Sequence, residues 1–402
     1  MKICLISNLY PPDVIGGAER YVEKIVKKLK DDSIENKIVI ITTSQKFLLK
    51  PKIEKEGNVK IYRIWPFNLY SLTTKRNYNF LIKLIWHLID LFNPFAYFII
   101  KKILKKEKPD LIHLNNLAGL SFSIFKVIES LKIKTILTIH DYYFICPYAN
   151  LVCPLTGWKF KKSVPFFCRW YRKIIKKIID GKINLVLAPS KFTINIFEEN
   201  GFFINVKKEV LPLGIEKINE IKDQREDQFI ILYVGQLSFH KGVHLLIEAV
   251  KNLKLGNKKI KLEIVGDGNF KSELKKMAKN NKEIIFYNQL PFDQIEKKYQ
   301  QANIVVIPSL APETFSLVMF EAMANGKLVV ASKIGAPSEY IKDGENGLLF
   351  EPGNVNHLKE ILEMVINQPK MIKKIGENAI KFAQNFTFQK HWERLKEIYK
   401  KI

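Results

Sequence analysis

The sequence predicts an α/β protein built from two doubly wound domains. Three observations carry that expectation. A chain of 402 residues is long for one core and fits two domains of ordinary size. Short apolar runs of strand length alternate with segments of helical period, as they do in parallel sheets covered by helices. The alternation stops at a charged stretch, residues 216–227, and then starts again. A hydrophobic content of 47% with 12% aromatic residues supplies two cores and excludes a disordered chain.

In chain order, residues 2–7 form an apolar run that ends in a loop, the mark of a parallel strand buried on both faces. The loop, residues 8–17, holds Pro11-Pro12 and Gly16-Gly17. Ala18, Tyr21, Val22, Ile25, Val26 and Leu29 then recur on one helical face with lysines opposite. Residues 37–42 and 59–64 read as strands. Residues 80–106 read as helix around Asn93-Pro94. Residues 110–114 and 135–139 read as strands, the second ending at His140-Asp141. Residues 142–162, rich in Pro, Tyr and Gly, read as a long loop over the mouth of the sheet. Over 169–179, Trp170, Ile174, Ile175 and Ile178 form an apolar face, with Arg169, Arg172, Lys173, Lys176 and Lys177 opposite. Residues 185–188 are a strand followed by a helix from Phe192.

Residues 216–227 read as the linker. The second unit runs strand 230–234, helix 243–253, strand 261–265, a helix from Ser272, and strands 284–287, 304–307 and 328–331. The tail, 386–402, is an amphipathic helix with Phe388, Trp392, Leu395, Ile398 and Tyr399 on its apolar face, suited to packing back across the first domain. The expected divisions are 1–212, 213–385 and 386–402.

The most informative stretch follows strand 304–307. A short loop carries Glu313, and an apolar helix starting near Ser316 carries Glu321. A helix start presents unpaired N–H groups and a positive dipole end, which suits an anion such as a diphosphate. Carboxylates before and inside that helix would hold hydroxyl groups on either side of it. By themselves they also admit a plainer account, two solvated glutamates in a βα turn. Lys241 sits at a second helix mouth, after a loop whose glycines permit close backbone approach. His140-Asp141 stands at a strand tip, where open α/β sheets place their sites. His113 reads as a packing residue. Val265-Gly266-Asp267-Gly268 resembles a dinucleotide loop, but Lys271 stands where the fingerprint needs a small residue. Cys4, Cys146, Cys153 and Cys168 form neither a disulfide framework nor a zinc pattern.

These motifs occur in a fixed order: Gly16-Gly17; His140-Asp141; Val-Gly-Gln-Leu-Ser-Phe-His-Lys-Gly at 234–242; Val-Gly-Asp-Gly at 265–268; Glu313 and Glu321 spaced E-x7-E; and Gly-Ala-Pro-Ser-Glu-Tyr-Ile-Lys-Asp-Gly-Glu-Asn-Gly-Leu-Leu at 335–349. Together they resemble the retaining glycosyltransferases of the GT-B type, in glycosyltransferase family 4. The resemblance covers nearly the whole chain. It is specific over 230–350 and looser over 40–110 and 142–185.

The resemblance implies two Rossmann-like domains facing a central cleft, with a nucleotide-diphosphate sugar held mainly by the second. Glu313 would hold the transferred sugar's hydroxyls and Glu321 the ribose. Leu317 and Val318, beside Ser316, would offer N–H groups to the diphosphate. Lys241 would neutralise the leaving phosphate, with Gln236 and Gly266 also on the donor side. Gly16 and Gly17 would close from the first domain. His140 would stand near the reacting sugar, with Asp141 and Tyr142 on the acceptor side. Leaving-group charge would be carried by helix N–H groups and a lysine, with no cofactor and no catalytic metal required. The acceptor class is a glycan or a lipid-linked glycan.

Three departures stand out. Gln236 occupies a position where the family usually has Arg, so a charge is lost. Ser316 replaces a frequent Gly, and Ala336 replaces the second glycine of a Gly-Gly pair. A protein that kept the fold and lost turnover would carry the same motifs, and Gln236 is the residue that bears on that alternative.

The charge is uneven. Residues 1–210 hold 36 Lys and Arg against 17 Asp and Glu, a net of +19; residues 211–402 hold 29 against 23, a net of +6. A lysine-rich genome explains the total but not the asymmetry. The basic amphipathic helices over 99–106 and 169–179 read either as surface helices packed on a sheet or as a face toward an anionic membrane, the latter in an association that salt weakens. Base-edge readers are not apparent, so nucleic acid is not expected. No uninterrupted apolar run reaches the length of a span, and residues 1–10 lack a signal-type core. The expectation is a cytoplasmic protein, peripheral on the inner face of the cell membrane.

Overall fold

The computed structural model describes residues 1–32, 37–74, 78–152, 166–219, 228–253, 259–279 and 281–402. Two sheets organise it. The first contains β1 (Lys2–Ile6), β2 (Lys37–Thr43), β3 (Lys52–Glu56), β4 (Val59–Ile64), β5 (Leu111–Leu114), β6 (Lys134–Thr138), β7 (Leu185–Ala188) and β8 (Lys207–Val210). Their order is β3-β4-β2-β1-β5-β6-β7-β8. The second contains β9 (Phe229–Val234), β10 (Ile260–Val265), β11 (Ile284–Tyr287), β12 (Ile304–Ile307), β13 (Leu328–Ser332) and β14 (Leu348–Phe350), in the order β11-β10-β9-β12-β13-β14. All pairings are parallel except β3 with β4. Both are doubly wound. Their strand order reverses between β1 and β5 and between β9 and β12, the points where crevices form at strand C-termini.

The central strands match their expected positions because they are apolar on both faces. Ile3, Leu5, Ile40, Ile136, Ile231 and Val305 are all fully buried. Three edge strands are absent from the sequence reading: β3 (Lys-Ile-Glu-Lys-Glu) and β8 (Lys-Lys-Glu-Val) are polar, and β14 (Leu-Leu-Phe) is only three residues long. Charged edges resist further pairing and hide the strand signal.

Three other expectations change. The apolar face of helix Phe166–Ile179 is formed by Cys168, Tyr171, Ile175 and Ile179, while Trp170 is exposed. Arg172, placed on the outer face from sequence, is buried; its Nε donates to the Ile145 carbonyl at 3.0 Å and its guanidinium pairs with Asn200. Residues 142–152 are irregular, with Ala149 and Asn150 lining the cleft, but their middle turns inward; 153–162 lie outside the described residues. Tyr143, Phe144, Ile145 and Cys146 are buried in the first domain's core, with Phe144 edge-on to Phe122 and Phe125. Cys4, Cys146 and Cys168 are buried; Cys153 and most of the proposed linker lie outside the described residues.

The last helix, Phe388–Lys401, is capped by Thr387 and packs on the first domain, as expected. His391 bonds the Pro212 carbonyl at 2.7 Å and the Tyr21 hydroxyl at 3.1 Å. Trp392 Nε1 donates to Asp32 at 2.6 Å, and the Tyr399 hydroxyl meets His113 Nδ1 at 2.6 Å. His113, bonded also to Thr138, is the packing residue anticipated. Trp392 is 1% exposed. Trp392→Ala is expected to destabilise the first domain by ~3–5 kcal/mol, measured as a lower urea midpoint.

Candidate functional site

A cleft of about 440 Å3 lies between the two sheets, at the C-terminal ends of their strands. The loop after β1 brings Gly16 and Gly17, and the loop after β6 brings His140, Asp141 and Tyr142. The loop after β9 brings Gln236 and Lys241, and the loop after β12 brings Glu313, Ser316, Leu317 and Val318. Eleven of the thirteen expected residues therefore meet on one surface.

At its centre, Lys241 Nζ donates to Glu313 Oε1 at 2.9 Å, and Ser309 Oγ donates to the same oxygen at 2.6 Å. Burial by itself would raise the Glu313 pKa. The Lys241 charge and the hydrogen bonds outweigh it and hold the carboxyl at about 2. Glu313 is thus an anion and a hydrogen-bond acceptor at neutral pH. Its backbone pairs with Gly335, whose φ is 71°. A Cβ there would lie 2.4 Å from the Glu313 nitrogen, so only glycine lets the two loops meet. Ala336, by contrast, has a right-handed helical φ of −56° and accepts a methyl group.

Helix Leu317–Ala324 begins at Ser316, whose φ of 68° lies in the left-handed region. That conformation costs an L-residue energy and suits the glycine that the resemblance leads one to expect here. No side chain caps the helix, so its first N–H groups open on the cleft. Opposite, Gly17 approaches so closely that a Cβ would lie 2.9 Å from Leu317 Cδ1.

His140 Nε2 lies 2.9 Å from Asn115 Oδ1, which makes Nε2 the N–H and leaves Nδ1 as an acceptor. Burial, and then the charge of His391, push its pKa down to about 3, so the ring is neutral. Burial raises Asp141 to about 6, partly offset by the Tyr143 N–H it accepts at 2.9 Å. Tyr142 is buried at the cleft wall. Gln236 is exposed at the rim.

Two expected residues lie elsewhere. Gly266 is a packing position; a Cβ would stand 1.9 Å from the Gly235 carbonyl oxygen, so it lets two loops interlock. Glu321 opens on a separate pocket of about 20 Å3 beside Lys24, Asn219 and Tyr299. That pocket has room for a water but not for a sugar ring. The Tyr299 hydroxyl donates to Glu321 at 3.0 Å, and burial raises the Glu321 pKa.

The sequence reading missed Glu19, Ser309 and Thr314. Glu19 Oε2 accepts the Gly16 N–H at 2.7 Å, a helix-start acid whose three-residue spacing was visible. Thr314 Oγ1 donates to the His140 carbonyl at 2.9 Å, and the Thr314 carbonyl accepts from Ser190 at 2.8 Å, which ties the site loops of both domains together. No local pattern signals those long-range bonds. Among the described residues, no three His, Cys, Asp or Glu side chains gather as metal ligands.

The sequence matches the profile described as Glycosyltransferase Family 4 over residues 15–217 and the one described as Glycosyl transferases group 1 over 214–382. An uncharacterized glycosyltransferase of Methanocaldococcus jannaschii is 29% identical across 100% of this chain and 99% of its own length. A lipopolysaccharide 1,2-N-acetylglucosaminetransferase of Salmonella typhimurium is 34% identical over 190 residues, 42% of this chain and 49% of that protein. Among solved structures, sucrose-phosphate synthase from Thermosynechococcus elongatus superposes with a TM-score of 0.78 at 19% identity, over 100% of this chain and 98% of that one. The two profile matches thus make this a glycosyltransferase, and its fold is of the GT-B type. Within that class, the chain belongs to glycosyltransferase family 4, group 1.

Glu313 binds its proton at lower pH when folded than its ordinary 4.5. A depressed carboxyl stabilises the fold fully above the unfolded value and ceases to do so as pH falls toward 2. The stability gap between wild type and Glu313→Gln should therefore be constant above about pH 5 and shrink from there to about pH 2. Urea unfolding across that range measures it.

Proposed function

We propose that this glycosyltransferase moves a hexosyl group from a nucleotide-diphosphate sugar to a glycan or lipid-linked acceptor with retention of anomeric configuration. The setting would be the synthesis of surface polysaccharide, lipopolysaccharide or glycolipid. The carrying observation is the Lys241–Glu313 pair, 2.9 Å apart, beside an uncapped helix start and facing Gly16-Gly17. The Salmonella relative's lipopolysaccharide activity and an Anabaena structure solved with UDP-glucose (TM-score 0.71, 19% identity, all of both chains) support the substrate class.

In this reading, the donor's diphosphate lies on the Leu317 and Val318 N–H groups with Lys241 alongside. Both stabilise negative charge as it grows on the leaving group. Ionised Glu313 accepts hydrogen bonds from the sugar's hydroxyls and positions the anomeric carbon. Substitution occurs on the face the leaving group departs from, and the leaving phosphate takes the acceptor's proton. The scheme routes no step through a metal. Neutral His140 lines the reacting face, with Asp141 and Tyr142 toward the acceptor. Glu321 reaches a ribose only if the helix bearing Lys24 shifts away from it.

Hydrolysis or thermal shift across UDP-, GDP- and ADP-sugars would identify the donor, and NMR of the product's anomeric proton would test retention. Binding without turnover would favour a protein that kept the fold and lost catalysis. Glu313→Ala is expected to abolish most transfer while the chain still folds, and unchanged turnover would overturn the site. Lys241→Ala should raise the barrier by ~2–4 kcal/mol, the range for a charge-stabilising donor, read as a fall in kcat.

A further inference from the structure

Residues Leu81–Glu107 have the length and composition of a membrane span, with a mean hydropathy of 1.2 in their most apolar part. The chain breaks them into two helices, Phe80–Leu91 and Pro94–Glu107. Asn93 makes the break. Its amide donates to the Pro66 carbonyl at 2.5 Å, its Oδ1 caps the second helix, and its N–H donates to Ser123 at 2.7 Å. Trp86, Ala96, Ile100 and Leu104 anchor the pair to the first domain's core. Only 28% of the apolar stretch is buried. Leu81, Ile85, Leu88, Phe92, Phe95 and Phe98 are each between 44% and 68% exposed. Spacings of four, three and four residues place Leu81, Ile85, Leu88 and Phe92 on one face. Phe67 stacks on Phe95 at 4.9 Å, and Phe47, 61% exposed, meets Phe67 edge-on at 5.7 Å, which extends the apolar surface into the loops after β2 and β4.

The charge around this surface has one sign. Lys83, Lys102, Lys105 and Lys106 are exposed on the two helices, and Lys126 Nζ lies 4.3 Å from the Phe92 ring centroid. The acids of these helices, Asp90 and Glu107, are both buried. Glu107 is paired with Lys2 and Lys60. An exposed apolar surface with a cationic rim and no exposed carboxylate on its helices matches a bilayer interface, where side chains enter the acyl boundary and lysines meet anionic headgroups. Two copies placed face to face would set lysines against lysines.

We propose that the outward face of these two helices docks the protein on an anionic lipid bilayer by inserting its Leu, Ile and Phe side chains, with the lysines as an electrostatic rim. The attachment is in part apolar, so it outlasts salt, unlike the purely electrostatic contact that the basic helices suggest from sequence. It is independent of how the cleft is read.

The test is co-sedimentation of the full chain with phosphatidylcholine vesicles, with and without phosphatidylglycerol, at low and high salt. Wild type should bind the anionic vesicles and keep part of that binding at high salt. Leu81→Ser/Ile85→Ser/Leu88→Ser and, on the second helix, Phe95→Ser/Phe98→Ser should each lower vesicle affinity by about tenfold or more. Melting temperature and nucleotide-sugar hydrolysis in solution should not change. Three results would overturn the proposal: wild type left in the supernatant with both vesicle types, serine variants that bind as wild type does, or light scattering that shows a dimer which the serine substitutions dissolve.

Discussion

The ion pair between Lys241 and Glu313 is the constraint around which the second domain's cleft is built. Each partner comes from a loop at a strand C-terminus, Lys241 after β9 and Glu313 after β12, and these strands are neighbours where the sheet order reverses. A carboxylate in so confined a place would protonate if left unpaired. Lys241 and Ser309 keep it ionised. The loops can meet because glycines stand where other backbones arrive. Gly242 has a φ of 69°, and a Cβ there would lie 1.8 Å from the Pro308 carbonyl oxygen; Gly335 admits the Glu313 backbone in the same way. The pair thus depends on backbone contacts that tolerate no side chain.

The same loop also holds the two domains together. Thr314, next to Glu313, bonds the His140 carbonyl and accepts from Ser190. Glu339 accepts the N–H groups of Lys191 and Phe192, at 3.1 and 2.7 Å, and so caps a helix of the other domain. The Tyr340 hydroxyl donates to the Pro189 carbonyl at 2.6 Å. The last helix completes the link from behind, crossing at Gly214, where a Cβ would strike the Phe388 backbone. These polar bonds, which are mostly to backbone, act together with one cluster of buried apolar residues that runs from the first domain through Phe388, Trp392 and Leu395 into the second.

The buried strands and the loops at their tips were legible in the sequence because local composition determines them. Ile304–Ile307 and Leu185–Ala188 are apolar on both faces and have no alternative to the middle of a parallel sheet. What failed to show depends on partners distant in sequence. β3 exists because β4 pairs with it, and Arg172 is buried because the Ile145 carbonyl and Asn200 receive it. The E-x7-E spacing identified both glutamates but not their surroundings. Glu313 precedes the helix and faces the cleft, whereas Glu321, on the helix itself, faces Tyr299 and the neighbouring domain. Ser309 and Thr314 carry no motif; Ser309 acts on Glu313 within its own loop, and the importance of Thr314 appears only when the two domains are brought together.

Gln236 acquires its meaning from the charges around it. Among the described residues lining the cleft, Lys241 is the sole Lys or Arg, while Glu19, Asp141 and Glu313 are carboxylic acids. Each acid is already engaged: Glu19 with the Gly16 N–H, Asp141 with the Tyr143 N–H, and Glu313 with Lys241 and Ser309. The neutral rings of His140 and His240, held down to about 3 and about 4 chiefly by burial, add no positive charge at neutral pH. Among the described residues, an anion entering this cleft would meet one ammonium group, already shared with a carboxylate. The arginine that relatives are expected to place at 236 would have added a second cation at the rim. Without it, the balance rests on the dipole and open N–H groups at Leu317 and Val318. Those are fixed by the backbone and need no reorganisation when charge appears. The unfavourable left-handed turn at Ser316, which aims that helix start into the cleft, is therefore the local strain on which the proposed binding of a diphosphate would most depend.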